Sequence, residues 1–219
     1  MLELAYKVVT IKIFVMSVEI YIARHGQNED NANGILNGHR DMPLTAIGRQ
    51  QGHDLGIGIK ESGINIDKVY ASPLSRAFET AKIVCGYLGI ETDPLVLPNL
   101  IERNFGVMTG VPANEVEARC APDIIKTDTI TYFLSPEGAE TFPDLIVRGH
   151  KVLTQVRELQ QQGTALLVCH GDIGKMVYAA ATGKNWQDVL VGFHFGNGDL
   201  IEVSPNDEAH KLKLPQHNH

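Results

Sequence analysis

Two short apolar runs, far apart in the chain, end in the same dipeptide. Val18-Glu19-Ile20-Tyr21-Ile22-Ala23 leads into Arg24-His25-Gly26, and Ala165-Leu166-Leu167-Val168-Cys169 leads into His170-Gly171. An imidazole can act as a nucleophile or carry a proton near neutral pH, and a guanidinium forks onto oxyanions. In an open α/β sheet, ligands bind just past the carboxyl ends of the strands. Two histidines delivered there from distant segments can face each other across one pocket. A lone buried histidine is usually structural, whereas a matched pair with an adjoining arginine points to a site.

The elements that must position these residues alternate strand and helix throughout. This implies a single three-layer α/β/α sandwich with a mostly parallel sheet of about six strands. Thr45 can cap a helix over Ala46 to Glu61, with Ile47, Leu55 and Ile59 on one face. Asp67 to Ala71 reads as a short strand, and Pro73 is placed to open a helix running to Leu88. Leu95 to Leu97 reads as another short strand. The stretch from Gly106 to Pro143 is rich in Gly, Pro, Thr and Asp, with one helix expected from Ala113 to Arg119, and is a candidate lid. Pro143 opens a long helix to about Gln162, stopped by Gly163; the Ala165 to Cys169 strand and a helix from Asp172 to Thr182 follow. Val189 to Phe195 and Leu200 to Val203 read as two strands of a hairpin around Gly196-Asn197-Gly198-Asp199.

Composition narrows the class. With 219 residues, 43% hydrophobic and 21% charged, the chain can bury a full core. A net charge of -7 argues against nucleic acid or an anionic membrane as partner, so an anionic substrate must find its positive field in a few local residues. Cys85, Cys120 and Cys169 are an odd, scattered set with no metal-ligand spacing, which suits a cytoplasmic setting. No apolar run is long enough to span a membrane. Residues 1–15 are expected to be either an extra strand or an upstream extension without the marks of a signal peptide. The working domain is expected over 16–205. Residues 206–219 form a tail in which His210, His217 and His219 read as part of a frayed polar terminus.

Arg24-His25-Gly26 resembles the signature of the histidine phosphatase superfamily, also called the phosphoglycerate mutase-like family. Further matches follow in order: Asn31; Gly38-His39-Arg40-Asp41-Met42-Pro43-Leu44-Thr45; Ala71-Ser72-Pro73-Leu74-Ser75-Arg76-Ala77 with Thr80-Ala81; Leu100-Ile101-Glu102 with Phe105-Gly106; Gly138-Ala139-Glu140-Thr141; and Val168-Cys169-His170-Gly171. Each motif alone is weak, but the ordered set spans Val18 to Val203 and is highly specific. Gln27-Asn28 departs from the family's usual pair after the first glycine, losing a hydroxyl, and Cys169 sits where members vary.

The resemblance implies a phosphoglycerate mutase-like fold, and the chemistry of the residues agrees with it. His25 would attack phosphorus and give a phosphohistidine, its other ring nitrogen held by a backbone carbonyl near Gly26. Arg24 and Arg76 would fork onto phosphate oxygens, and His170 would donate to a third. Glu102 would protonate the leaving alcohol and then activate water, a task that needs a raised pKa. The expected catalytic set is therefore Arg24, His25, Arg76, Glu102 and His170. Asn31, Gly38 and Gly171 join Arg24, Arg76 and His170 around the phosphate. Blander roles stand beside these. Asn31 could be a helix or turn cap and His39 a surface residue. His53 and His150 read as exposed helical positions and His194 as structural on a late strand. Glu140 and Thr141 either rim the pocket or start the long helix.

No cofactor and no metal is expected, since arginines and histidines supply the charge. The preferred activity is hydrolysis of a small phosphorylated metabolite. In mutases of this family the region after the acidic residue is long and carries paired arginines; here Arg103 to Thr141 has only Arg103, Arg119 and Lys126 as cations. The alternatives are a cofactor-dependent phosphoglycerate mutase, a protein phosphohistidine or phosphotyrosine phosphatase, and an inactive phospholigand-binding module. A homodimer is left open.

Overall fold

The computed structural model describes residues 18–203, so the expected N-terminal extension and C-terminal tail lie outside the described residues. The chain begins with β1 (Val18–Arg24) and a single turn of helix, α1 (Glu29–Ala32). α2 (Ala46–Glu61) starts where Thr45 accepts from the Gly48 amide at 3.0 Å, the cap expected from sequence. β2 (Lys68–Ala71) leads to α3 (Ser75–Leu88). This helix starts two residues after Pro73. Its first turn is capped from a distant loop, as Asp41 Oδ1 accepts from the Ser75 amide and hydroxyl at 2.7 and 2.8 Å. β3 (Leu95–Val96) is a two-residue edge strand.

After β3 the chain crosses the carboxyl end of the sheet. The helix expected from Ala113 is a 3₁₀ turn, Ala113–Glu115, running into α4 (Val116–Cys120). β4 (Ile124–Lys126) and β5 (Thr131–Phe133) form a small antiparallel hairpin that the sequence pattern did not signal. α5 (Phe142–Leu159) then starts at its cap Thr141, ending three residues short of the expected Gln162. Gly163 does not stop this helix; at φ +83° it opens β6 (Gly163–Cys169), beside the Asp67 carboxylate. α6 (Gly171–Thr182), α7 (Trp186–Gly192) and β7 (Leu200–Glu202) complete the described chain.

Among the described residues the main sheet has five strands, ordered β3-β2-β6-β1-β7. The pairings β2–β3, β2–β6 and β1–β6 are parallel, and β7 runs antiparallel on the far edge beside β1. The expected sixth strand, Val189 to Phe195, is mostly the helix α7. Asn185 caps that helix by accepting from the Gln187 amide at 2.8 Å, and Val189 and Leu190 turn to the core while Val191 faces out. A short apolar run does not tell a buried strand from a buried helix, and the cap decides it. The Gly196–Asp199 turn therefore closes no hairpin; it returns the chain from α7 to β7.

Side-chain alternation builds the three layers. Ile20, Ile22, Tyr70, Ala165, Leu167 and Cys169 face α5 and α6, whereas Tyr21, Ala23, Val69, Ala71, Leu166 and Val168 face α2 and α3. Strands covered on both faces read as continuous apolar runs, which is why their sequences stand out. A third, smaller core of Phe105, Met108, Val116 and Phe133 sits under the segment between β3 and α5.

α2 approaches the chain just past β1 without side chains between them. A Cβ on Gly48 would lie 1.9 Å from the Gln27 carbonyl oxygen, and one on Gly26 would lie 2.1 Å from the Gly48 carbonyl oxygen. Gly86 on α3 faces open space instead. Gly48→Ala should lower stability by about 1–3 kcal/mol through forced backbone separation, despite alanine's better helix propensity. Gly86→Ala should raise it by about 0.5–1 kcal/mol. Urea denaturation of the two variants checks the opposite signs.

Candidate active site

The β1–β6 register sets Arg24 opposite Cys169, and the His25 amide donates to the Cys169 carbonyl at 3.0 Å. His25 and His170 thus leave the sheet at one level, with ring centroids 5.0 Å apart. His25 Nδ1 lies 2.6 Å from the Gly26 carbonyl oxygen, which can only accept, so Nδ1 carries the hydrogen. The lone pair is left on Nε2, which accepts from Arg76 Nε at 3.1 Å. Burial, then Arg76 and Arg24, push the His25 pKa well below its usual range, so the ring is neutral at physiological pH. His170 is wholly buried and is pushed down in the same direction by burial, then Arg76 and His25. Its Nε2 lies 2.7 Å from Ser72 Oγ, which already accepts from the Leu74 amide. The other ring nitrogen, Nδ1, is buried with no partner among the described residues.

Two guanidinium groups complete this corner. Arg76, wholly buried at the start of α3, donates through Nη1 to the Arg40 carbonyl at 2.6 Å and through Nη2 to the Gly38 carbonyl at 3.1 Å. Burial lowers its pKa to about 10, leaving it charged. Gly38, at φ +51°, therefore reaches the site through Arg76; the Gly38 and His170 side are not part of the cavity lining, whereas Arg24, His25, Asn31, Arg76, Glu102 and Gly171 are. Arg24 donates through Nη1 to the Phe195 carbonyl at 2.7 Å, and its Nε, like His170 Nδ1, is buried without a partner among the described residues. Buried polar groups are nearly always satisfied, so two orphaned buried nitrogens, one of them on Arg24, close to the Arg76 guanidinium make this corner suited to an oxyanion.

Glu102 sits across from the histidines at the amino end of α6. Its Oε1 accepts from the Arg103 and Ile173 amides at 2.8 and 3.2 Å, and its Oε2 from the Asp172 amide at 3.4 Å. Burial, followed by the nearby Asp172 carboxylate, raises its pKa, and those amide bonds oppose the rise. Three further groups hold it in place. Arg148 donates to the Asn99 carbonyl at 2.8 Å, to the Glu102 carbonyl at 3.1 Å and to the Ile101 carbonyl, while pairing with Glu140. His39 lies 2.7 Å from the Glu102 carbonyl oxygen, so this exposed side chain supports the loop. Arg103 pairs with Asp172 at 2.8 Å beneath the Phe105, Phe133 and Phe142 rings.

Arg103, Asp172 and Lys175 line the same cavity of about 270 Å³, and sequence reading gave none of them a role. Arg103 and Asp172 each follow a singled-out residue, and Lys175 lies one helical turn past Gly171, a placement that could have flagged them. Asn31 does two things: it lines the cavity, and its side chain and amide form a reciprocal cap with Asn28 at the start of α1. Asn197, from the turn before β7, donates to Asn31 Oδ1 at 3.1 Å and to the His25 carbonyl at 3.0 Å. Thr141 starts α5, and Glu140 holds Arg148. His150 is exposed as expected; His53 is half-buried with Nδ1 3.1 Å from the Tyr87 hydroxyl, and His194 lies past α7 and on no strand. Among the described residues no group of His, Cys, Asp or Glu is placed to hold a metal ion, and no helix is long and apolar enough to cross a membrane.

A neutral imidazole lone pair among guanidinium groups, facing a buried carboxyl, is an arrangement suited to histidine-centred phosphoryl transfer. The chain belongs to the histidine phosphatase superfamily (branch 1), whose family model matches residues 20–217. It is 30% identical over 174 residues to a 2,3-bisphosphoglycerate-dependent phosphoglycerate mutase of Rhizobium etli, covering 78% of this chain and 83% of that one. The fold matches a mycobacterial glucosyl-3-phosphoglycerate phosphatase with a TM-score of 0.72 at 20% identity, over 86% of this chain and 93% of that one. It also matches a putative α-ribazole-5'-P phosphatase from Escherichia coli with a TM-score of 0.72 at 22% identity, over 91% and 98% of the two chains.

The two depressed histidines have a thermodynamic signature. Unfolded, each titrates near 6.5; folded, well below that. Between those values the unfolded chain binds more protons, so stability falls as pH drops from 6.5 toward the folded values and is unaffected by these groups above it. The loss should approach about 1.4 kcal/mol per pH unit for each histidine. Urea denaturation across this acid range should show a shallower loss for the His25→Gln, His170→Gln double variant.

Proposed function

We propose that this protein is a phosphomonoester hydrolase that acts on a small phosphorylated metabolite through a phosphohistidine at His25. The observation that carries hydrolysis over transfer is the state of the cations between Arg103 and Thr141. A mutase must hold a sugar acid's carboxylate as well as its phosphate. Of the three cations in this segment only Arg103 lines the cavity, and Asp172 holds it at 2.8 Å. Arg119 pairs with Glu115 at 2.7 Å and Lys126 with Glu117 at 2.6 Å, away from the cavity. No cation of the segment is left unpaired to clamp a second anion.

In this reading, Arg24, Arg76 and His170 Nδ1 hold the phosphate oxygens, and Arg76 Nε moves from His25 Nε2 to one of those oxygens as the ester binds. The freed lone pair forms the N–P bond while the ester P–O bond breaks and Glu102 gives its proton to the departing alcohol. Glu102, now a carboxylate, takes a proton from water. That water attacks phosphorus, the N–P bond breaks, and phosphate leaves. A raised Glu102 pKa suits the first half and its ionised form the second. Preorganised donors in a buried site supply the transition-state stabilisation.

The test is phosphate release from a phosphomonoester panel with a chelator present. His25→Ala should abolish release. Glu102→Gln should lower kcat/KM, which reports phosphoryl transfer to His25, about 100-fold or more on alkyl phosphates and much less on p-nitrophenyl phosphate, whose leaving group needs little protonation. The relatives named as phosphoglycerate mutases favour a second reading. Interconversion of 3- and 2-phosphoglycerate, dependent on 2,3-bisphosphoglycerate and without net phosphate, would establish it and overturn the first.

A further inference from the structure

The half of the cavity away from the histidines has a different character. Ile35, Leu36, Phe105, Ile130, Tyr132 and Phe133 line it. Phe133 packs edge-on to Phe105 at 5.2 Å within the small core that includes Met108 and Val116, and Tyr132 is buried against the main core. These side chains are backed by packed neighbours, so the wall is preformed. The basic groups that share this side, and Asn37, are already engaged. Lys175, 2% exposed, donates to the Leu190 carbonyl at 2.8 Å and to the Phe193 carbonyl, and its ammonium lies 4.7 Å from the Phe193 ring centre. Arg103 is taken by Asp172, and Asn37 bonds to Asn28. The buried side-chain nitrogens left without a partner among the described residues, Arg24 Nε and His170 Nδ1, both lie at the histidine corner.

Resting on the hydrolase reading, we propose that the substrate is the phosphomonoester of an apolar alcohol, an aryl or branched-alkyl group without a carboxylate, seated against this wall. A ligand carboxylate here would lose its hydration and meet no free cation. A ring or branched chain would displace water from apolar surface. A cavity of about 270 Å³ leaves room beside the phosphate for one ring or a short branched chain.

Two non-hydrolysable probes separate ligand preference from turnover. Calorimetric titration of the full chain should show benzylphosphonate binding about tenfold or more tightly than 2-carboxyethylphosphonate. Equal affinity, or tighter binding of the carboxylate, would overturn the proposal. Ile130→Lys places a cation on the wall, so it should weaken benzylphosphonate and strengthen 2-carboxyethylphosphonate, a gain that misfolding cannot mimic. An unchanged ratio in a variant that still binds would also overturn it. Phosphate release from benzyl phosphate is read separately. The binding preference without release would sink the hydrolase reading while upholding the pocket's choice of ligand.

Discussion

Everything at the site hangs on the parallel register between β1 and β6. Arg24 opposite Cys169 brings His25 and His170 out of the sheet side by side, though 145 positions separate them in the chain. The same β6 strand pairs with β2, and Ala71 opposite Val168 delivers Ser72 to the His170 ring. A slip of one residue in either pairing would send these side chains to the opposite face. The register is held because both faces of these strands are buried under helices, where a slip would cost the whole alternating core.

Charge is gathered at that edge without carboxylates to balance it directly. Arg24 and Arg76 sit among neutral histidines, and their contacts within the protein are mainly backbone carbonyls. The carboxylates of the site lie on the other side, around Glu102 and Asp172, with Arg103 between Asp172 and the aromatic rings. The site is thus polarised: a positive, partly unsatisfied corner faces an acidic, well-bonded one, as the proposed handling of phosphate and proton requires. Arg148 and His39 lock this corner through the backbone of Glu102, while its carboxyl is held by the Arg103, Asp172 and Ile173 amides. Such prepaid organisation lowers stability locally and removes reorganisation from the chemical step.

The parts legible in the sequence were those with local signals. The two His-Gly strand ends, the Thr45 cap and the long amphipathic helices all follow from residue order and period. The Gly26 carbonyl beside His25 Nδ1 was also foreseeable, because only the adjoining backbone is near enough. What stayed hidden depends on contacts across the fold. The Arg103–Asp172 pair spans 69 positions, and Ser72 serves His170 across 98. α7 resembles a strand in sequence because Val189-Leu190-Val191 carries no period of its own, and the informative residue, Asn185, lies upstream. The β4–β5 hairpin has strands of three residues, too short to show alternation.

The small core under the segment between β3 and α5 gives the molecule a division of labour. Phe105, Met108, Val116 and Phe133 pack mainly with one another and with Leu36 and Val111, apart from the two large clusters that clamp the sheet. Substitutions there would reshape the Phe105 and Phe133 side of the cavity, while the strand ends that carry the histidines keep their own support. Catalytic apparatus and substrate taste can consequently drift at different rates in descendants of this chain, so that a lineage could exchange one ester for another and keep the same phosphoryl chemistry.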